Sequence, residues 1–224
     1  MRTMRLSRHR PRLVLAATML AVLVIPACGS KSGRPESGEL SQRPTHTPAK
    51  DKKKAAQDAY TDGYREGQAV REEGGKGSSV REVVWGGCTR RALRAGQKAE
   101  ADRGAWVSGC RDGVSENARH LPSGQVTKRS QDRDLLQRFH AWLSATGKRS
   151  VRAHVTRLTL VELHRGDCDI ELTTDYSFTG DDGPTVIDLA QSFVKWWDGD
   201  DGDGTAWNVV VRGAGGEKLA AKSL

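Results

Sequence analysis

Cysteine residues are the side chains of this sequence whose spacing most clearly predicts a chemical bond. Cys88 follows Trp85-Gly86-Gly87, and Cys110 follows Trp106-Val107-Ser108-Gly109, so each cysteine comes shortly after a tryptophan and directly after a glycine. We expect two short neighbouring helices joined by a Cys88–Cys110 disulfide. A bridge that closes about 23 residues stabilises a folded unit by about 3 kcal/mol in the chain-entropy model.

Paired cysteines also serve in thiol–disulfide exchange and in zinc binding. A redox-active pair is typically Cys-x-x-Cys, which the sequence lacks. The spacing of Cys88 and Cys110 matches no zinc finger. We therefore predict a structural disulfide, with no metal and no cofactor.

Histidines and carboxylates are the other candidates for chemistry. His140, His154 and His164 are available for acid–base work with Asp167 or Asp169. The sequence has no Gly-x-Ser-x-Gly or His-Glu-x-x-His motif to indicate a nucleophile or a metal-bound water. We therefore expect no catalytic residues, and we keep as the alternative a cell-envelope hydrolase that uses His154 or His164.

Two short motifs resemble known binding signals. Arg165-Gly166-Asp167 resembles the adhesive Arg-Gly-Asp tripeptide, but a hairpin turn alone accounts for its Gly and Asp. The run 198–204 resembles a calcium loop, yet Gly202 stands at its fifth position, where an acid or amide is required. We therefore predict a turn at the first motif and a solvated connection at the second.

The N-terminal stretch is typical of an export signal. Residues 1–12 are basic, and the apolar run 13–27 is shorter than the roughly 20 residues that span a bilayer. It ends in Ile25-Pro26-Ala27-Cys28, which resembles the lipobox of bacterial lipoprotein signals. The resemblance implies a signal peptide at 1–27, cleavage before Cys28, and acylation of the Cys28 sulfur. Two acyl chains suffice for stable membrane attachment. An ordinary secretory signal and an uncleaved anchor are the alternatives.

Acylation of Cys28 leaves three cysteines for other bonds. The simplest arrangement is the one disulfide and a free thiol at Cys168. Cys168 shares strand parity with Ile170 and Leu172, so we expect it to be buried rather than nucleophilic.

Charge argues against a nucleic-acid partner. The formal net charge is +8, with 36 basic and 28 acidic residues, but five arginines lie in the leader, so the chain from Cys28 carries a net charge of +3. Outside the leader no basic stripe alternates with aromatic residues. Residues 28–55 are polar and are expected to form a disordered tether.

A helical unit is predicted at 56–122, and it contains a weak repeat. Residues 59–67 and 105–113 share the pattern Ala, aromatic, two variable residues, Gly, one variable residue, Arg, acid, Gly. The glycines fall on one face of each helix, which favours close approach of two backbones. The alternative is that glycine breaks these segments into turns.

The rest of the helical unit has recognisable boundaries. Ser79 and Glu82 fit a capping box for a helix that runs to Ala95, with Val84 and Cys88 facing inward. Residues 72–79 are expected to form a glycine-rich connector, and Asp102 is expected to cap the following helix.

The segment 132–224 is predicted to form an α+β domain of order α-β-β-α-β-β. The expected elements are a helix at 132–146, strands at 151–163 and 170–178, a helix after Gly183-Pro184, and strands at 207–211 and near Leu219. Hairpin connections favour an antiparallel sheet with helices on one face. The predicted fold is thus a small disulfide-stapled helical unit followed by an antiparallel-sheet domain.

These features together resemble uncharacterised lipoproteins of high-GC Gram-positive bacteria. The resemblance rests on the lipobox, the polar tether, the Tyr/Gly helix, and the runs 84–91 and 104–114. It implies no known activity. We expect a lipoprotein on the extracytoplasmic face of the cell membrane that acts as a non-enzymatic binding or interaction module. Its expected partners are the membrane, through the N-terminal lipid, and an envelope protein; a structural spacer is a further alternative.

Overall fold

The computed structural model describes residues 49–164, 166–177, 182–197 and 206–224. The expected signal peptide, Cys28, most of the expected tether, Arg165 and the run 198–204 lie outside these residues.

The described chain contains seven α-helices, one π-helix and five strands, and α1 begins within the expected tether. The elements are α1 (Ala49–Ser79), a π-helix (Val80–Val84), α2 (Gly87–Ala92), α3 (Gln97–Ala101), α4 (Arg103–Val114), β1 (Lys128–Gln131), α5 (Arg133–Ala145), α6 (Arg149–His154), β2 (Val155–His164), β3 (Asp167–Thr174), α7 (Gly183–Trp197), β4 (Ala206–Arg212) and β5 (Lys218–Ser223).

The five strands form one sheet in the order β1-β2-β3-β4-β5. The α+β class is confirmed, and the antiparallel prediction is confirmed for every strand pair except β3–β4, which is parallel. The reason is that α7 connects β3 to β4, and a helical crossover between neighbouring strands returns the chain in the same direction. Hairpins were expected at that connection.

The strand β2 begins later than predicted. Val151 belongs to the short helix α6, which runs directly into the strand at Val155. The pairing of β2 with β3 is irregular between Val155 and Arg157.

The sheet is covered on both faces, whereas helices on one face were predicted. One core lies between the sheet and the helices α5 and α7, and it includes Phe139, Phe193 and Trp196. The second core contains Val161 and Leu163 of β2 together with residues of α1, α2 and α4. The helical segment therefore packs directly on the sheet.

Helices α1 and α4 pack side by side through the repeated glycines. A Cβ on Gly63 would lie 2.8 Å from the carbonyl carbon of Trp106, and one on Gly109 would lie 2.8 Å from the amide nitrogen of Tyr64. Gly67 meets Cys110 and Val114 in the same way, one turn further along both helices, so the helices run parallel. The predicted close backbone approach is confirmed, and the alternative that these glycines break the helices is wrong.

The segment between α1 and α2 differs from the prediction. The expected connector 72–79 is helical, with a kink at Gly75 (φ +59°). No capping box forms, because the Ser79 hydroxyl donates to the Val114 carbonyl oxygen at 2.8 Å and Ser79 makes no cap hydrogen bond. Val84 is exposed rather than inward, whereas Cys88 is buried as expected. The expected helix ends at Ala92.

None of the helices in the described ranges is both long and apolar enough to cross a membrane.

Candidate functional site

The Cys88–Cys110 disulfide joins α2 to α4, as predicted. The two Cα atoms are 5.8 Å apart, and both side chains are buried. The expectation of a free thiol at Cys168 is wrong, because Cys168 is disulfide-bonded and no cysteine in the described ranges is free. Its predicted burial is observed.

A buried carboxylate lies beside this disulfide. One oxygen of Glu82 and the two cysteine sulfurs lie within 4.8 Å of one another, which is the spacing of metal ligands. The sulfurs are bonded to each other, however, and thiolates rather than disulfides bind metals. Glu82 instead forms ion pairs with Arg91 at 3.0 Å and Arg81 at 3.1 Å. Its charge therefore fixes the local structure.

The start of α4 is held against the sheet by Asp102, the predicted cap. The Asp102 carboxylate accepts hydrogen bonds from the backbone nitrogens of Ala105 (3.1 Å), Val126 (2.7 Å) and Thr127 (2.9 Å), and from the Thr127 hydroxyl (2.6 Å). One side chain thus caps α4 and fixes the segment that leads into β1.

A cluster of buried charges lies where α4 meets β3. Arg103 is fully buried; its Nε is 3.4 Å from a carboxylate oxygen of Asp169, and its Nη2 donates to Glu171 at 2.9 Å. Asn208 donates to the other Asp169 oxygen at 2.7 Å. Among the described residues, Nη1 of Arg103 and the Asn208 carbonyl oxygen have no hydrogen-bond partner.

Glu171 extends the cluster toward the surface. Arg212 donates to Glu171 at 2.8 Å and to Glu100 of α3 at 2.7 Å. Arg129 of β1 lies 3.4 Å from the second Glu171 oxygen. The cluster therefore connects α3 and α4 to strands β1, β3 and β4.

The two acids of β3 differ in their titration. Burial raises the pKa of Asp169 to about 6, although the Arg103 charge acts in the opposite direction. Burial also opposes ionisation of Glu171, but the charges of Arg103, Arg212 and Arg129 outweigh it and lower the pKa of Glu171. Glu171 is thus the firmly ionised partner of Arg103.

His164, a predicted candidate, lies at the same junction. Its Nδ1 is 2.8 Å from the Ser108 hydroxyl of α4. The Ser108 hydroxyl also lies 2.9 Å from the Gly104 carbonyl oxygen, so its single hydrogen has two neighbouring groups. A Ser108 nucleophile would have to give this hydrogen to His164, and the Gly104 carbonyl oxygen competes for it.

The other candidate histidines lie apart from His164. His154 pairs with Asp175 at 2.7 Å and lies directly before β2. His164 is the last residue of β2, so the two histidines are about 30 Å apart at the usual rise of a strand. His140 Nε2 lies 3.0 Å from the Val155 carbonyl oxygen, and burial lowers its pKa. The histidines do not converge on one site.

Asp167 is engaged inside the protein. It forms an ion pair with Arg111 and accepts a hydrogen bond from Trp207 Nε1 at 3.0 Å. Gly166 has φ +89°, which supports the turn predicted at Arg165-Gly166-Asp167. This carboxylate is not presented to solvent as an adhesive motif would require.

A Ser-x-x-Lys spacing at Ser192 and Lys195 was not recognised in the sequence. The two side chains lie on α7, where Ser192 is buried and Lys195 is exposed. They do not form a nucleophile and a base.

Two shallow grooves open on the described surface. One, of about 490 Å³, lies between α1 and α3, and the other, of about 430 Å³, lies between β2 and the start of α5. Neither is lined by Ser108, His164 or Arg103.

Exposed apolar side chains gather beyond the C-terminal end of α1. Val80 is 48%, Val84 is 59% and Trp85 is 61% exposed, and we call these three residues the Trp85 patch. Gly86 follows with φ +66°, and a Cβ there would lie 2.6 Å from Cδ2 of the Trp207 ring. The backbone of Gly86 therefore rests on Trp207 and holds the patch at the surface.

Val84 was expected to face the core, and Trp85 had no predicted role of its own. The run Val83-Val84-Trp85 was an available signal, since three consecutive apolar residues exceed what one helix face can bury.

No family model, no curated protein and no solved structure matches this chain.

Proposed function

We propose that this chain is a lipid-anchored extracytoplasmic lipoprotein whose folded part is a non-enzymatic interaction module. The observation that carries the proposal is a contrast between exposed apolar side chains at the surface and paired charges where α4 meets the sheet. The Trp85 patch faces solvent, whereas the charged groups at the junction are bound to one another. A surface group of apolar side chains is suited to contact another body.

The attachment to a membrane is supported by the sequence. The leader 1–27 and the lipobox at Ile25–Cys28 imply acylation of Cys28. The Cys88–Cys110 disulfide is in keeping with an oxidising compartment outside the cytoplasm. An envelope protein and the membrane itself are the two candidate partners.

The alternative of a hydrolase at the junction has less support. Ser108 of the helical segment and His164 of the sheet lie 2.8 Å apart, as that alternative requires. However, the Gly104 carbonyl oxygen competes for the Ser108 hydrogen at 2.9 Å, and neither of the two grooves described above is lined by Ser108 or His164. We therefore propose that this hydrogen bond serves packing.

The test is metabolic labelling with an alkyne-bearing fatty acid in the native host. The wild-type chain is expected to take up the label, and Cys28→Ala is expected to abolish it. Ser30→Ala is the matched control, because it changes a neighbouring residue that cannot carry the thioether. An unlabelled wild-type chain, or label that persists in Cys28→Ala, would refute the anchor.

A further inference from the structure

We infer that the Trp85 patch is a second membrane contact, which docks the folded part onto an anionic phospholipid surface. This inference rests on the proposed function and names the partner of its exposed surface.

The residue types of the patch suit a bilayer interface. Tryptophan favours the headgroup region because its ring is apolar and its indole N–H is polar. Val80 and Val84 add aliphatic surface beside Trp85, and all three side chains are about half exposed or more. Arg81, between the two valines, is also exposed, so a cation accompanies the apolar residues.

The surrounding charge complements an anionic membrane. The segment 71–94 has six basic and three acidic residues, a net charge of +3, which equals the net charge of the whole chain from Cys28. The basic residues are Arg71, Lys76, Arg81, Arg90, Arg91 and Arg94, and the acids are Glu72, Glu73 and Glu82. Buried Glu82 pairs with Arg81 and Arg91, and Arg71 pairs with Glu116. Lys76, Arg90 and Arg94 make no ion pair with the described residues, so these three cations are the ones available to an anionic surface.

The small size of the Trp85 patch favours a membrane rather than a protein as its partner. A stable protein interface takes about 20–30 residues from each side. The three apolar side chains of the Trp85 patch are a small part of the residues that such a protein interface needs. A surface that is already tethered needs little additional affinity, because the tether holds it at high effective concentration.

The tether is long enough to permit this contact. Twenty residues separate Cys28 from Ala49, and fully extended they span at most about 65 Å at about 3.3 Å per residue. Helix α1 has 31 residues and is about 46 Å long. The end of α1 that carries the patch can therefore reach the bilayer while Cys28 is anchored.

The experiment uses the mature chain from residue 28 with Cys28→Ser, so that no lipid contributes to binding. Co-sedimentation is measured with phosphatidylglycerol vesicles and with phosphatidylcholine vesicles. We expect binding to the anionic vesicles, weakened about tenfold by Trp85→Ala and clearly weakened by Val84→Ser. Ile187→Ala is the matched control, since Ile187 is 51% exposed on α7, away from the patch.

Fluorescence gives an independent readout. Trp85 is the most exposed tryptophan, whereas Trp106 and Trp196 are buried. Its emission should shift to the blue on anionic vesicles, and Trp85→Phe should lose this shift.

Three results would overturn the inference. They are no binding to anionic vesicles, equal binding by Trp85→Ala and the parent, and vesicle-independent crosslinking from position 85 to an envelope protein. None of these would affect fatty-acid labelling of Cys28, so failure of the docking surface and failure of the lipid anchor are distinguishable.

Discussion

Gly63 and Trp106 lie so close that the backbone of one helix rests on the backbone of the other. A Cβ at Gly63 would lie 2.8 Å from the carbonyl carbon of Trp106 and closer still to its oxygen. Gly109 is placed equivalently against Tyr60 and Tyr64. The two repeated motifs thus form the two halves of one helix–helix contact.

Substitution of Gly63 by alanine should be strongly destabilising. The added methyl group would displace backbone rather than a flexible side chain, so we expect Gly63→Ala to lower the free energy of unfolding by about 3 kcal/mol or more. Urea unfolding followed by circular dichroism measures it. Gly77→Ala is the control, because a Cβ there would meet no atom within 4 Å; it should stabilise by up to about 1 kcal/mol. Equal effects at the two positions would contradict the packing account.

Removal of the disulfide should weaken the helical segment. Cys88 and Cys110 are separated by 22 residues in sequence. The double variant Cys88→Ser, Cys110→Ser should lose about 3 kcal/mol of unfolding free energy, chiefly because the unfolded chain gains freedom. Chemical denaturation of the variant and the parent chain gives the difference. An unchanged midpoint would show that the bridge does not stabilise this fold.

Arg103 should be the most costly charge to remove. Arg103→Leu would leave Asp169 and Glu171 buried without their main cation, and we expect a loss of about 3–5 kcal/mol. Arg129→Gln is the control, because Arg129 also pairs with Glu171 but its side chain is 37% exposed; that change should cost about 1 kcal/mol or less. If the two variants unfold at the same denaturant concentration, the buried cluster does not hold the helices to the sheet.

Asp169 should give stability an unusual pH dependence. Its pKa is raised by burial from 3.8 to about 6 on folding. Between these values the folded state retains a proton that the unfolded state has lost, so the free energy of unfolding should fall as the pH rises through this window. Glu171 and Glu100 act in the opposite sense, because their lowered pKa values contribute stability that is lost in more acidic solution.

The variant Asp169→Asn separates these effects. Asp169→Asn should abolish the decline in the free energy of unfolding between about pH 4 and pH 6. The loss of stability in acid that comes from Glu171 and Glu100 should remain. Thermal unfolding across this range is the measurement. If the stability of the variant changes with pH as steeply as that of the parent, the titrating group is not Asp169.

Local sequence patterns predicted much of the fold. The disulfide, the Asp102 cap, the glycine contact and the helix α5 were predicted because each depends on residues near one another in sequence or on a repeated motif. The parallel pairing of β3 with β4 was not predicted, because all strands were expected to be joined by hairpins. The helix α7 instead connects β3 to β4 as a crossover.

The second covered face of the sheet was harder to predict. Asp169 and Glu171 alternate with Ile170 and Leu172, which is the pattern of a strand with one face in water. In the structure both acids are buried in ion pairs with Arg103, which lies more than sixty residues away in sequence. The alternation of residues within one strand carries no information about such a distant partner.

The Cys28 sulfur decides whether this chain is lipid-anchored. A sulfur in a thioether to lipid cannot also form a disulfide, and Cys28 is the one cysteine of the sequence besides Cys88, Cys110 and Cys168. Cys168 is disulfide-bonded, so the number of alkyl groups gained on reduction also reports on its sulfur. The two chemistries predict different masses.

The most direct measurement is the intact mass of the protein purified from its native membrane, before and after reduction and thiol alkylation. We predict a chain that begins at Cys28 and carries a diacylglyceryl group, with Cys88 and Cys110 alkylated only after reduction. A chain that retains residues 1–27, or one that carries no lipid and gains four alkyl groups on reduction, would contradict the lipoprotein account.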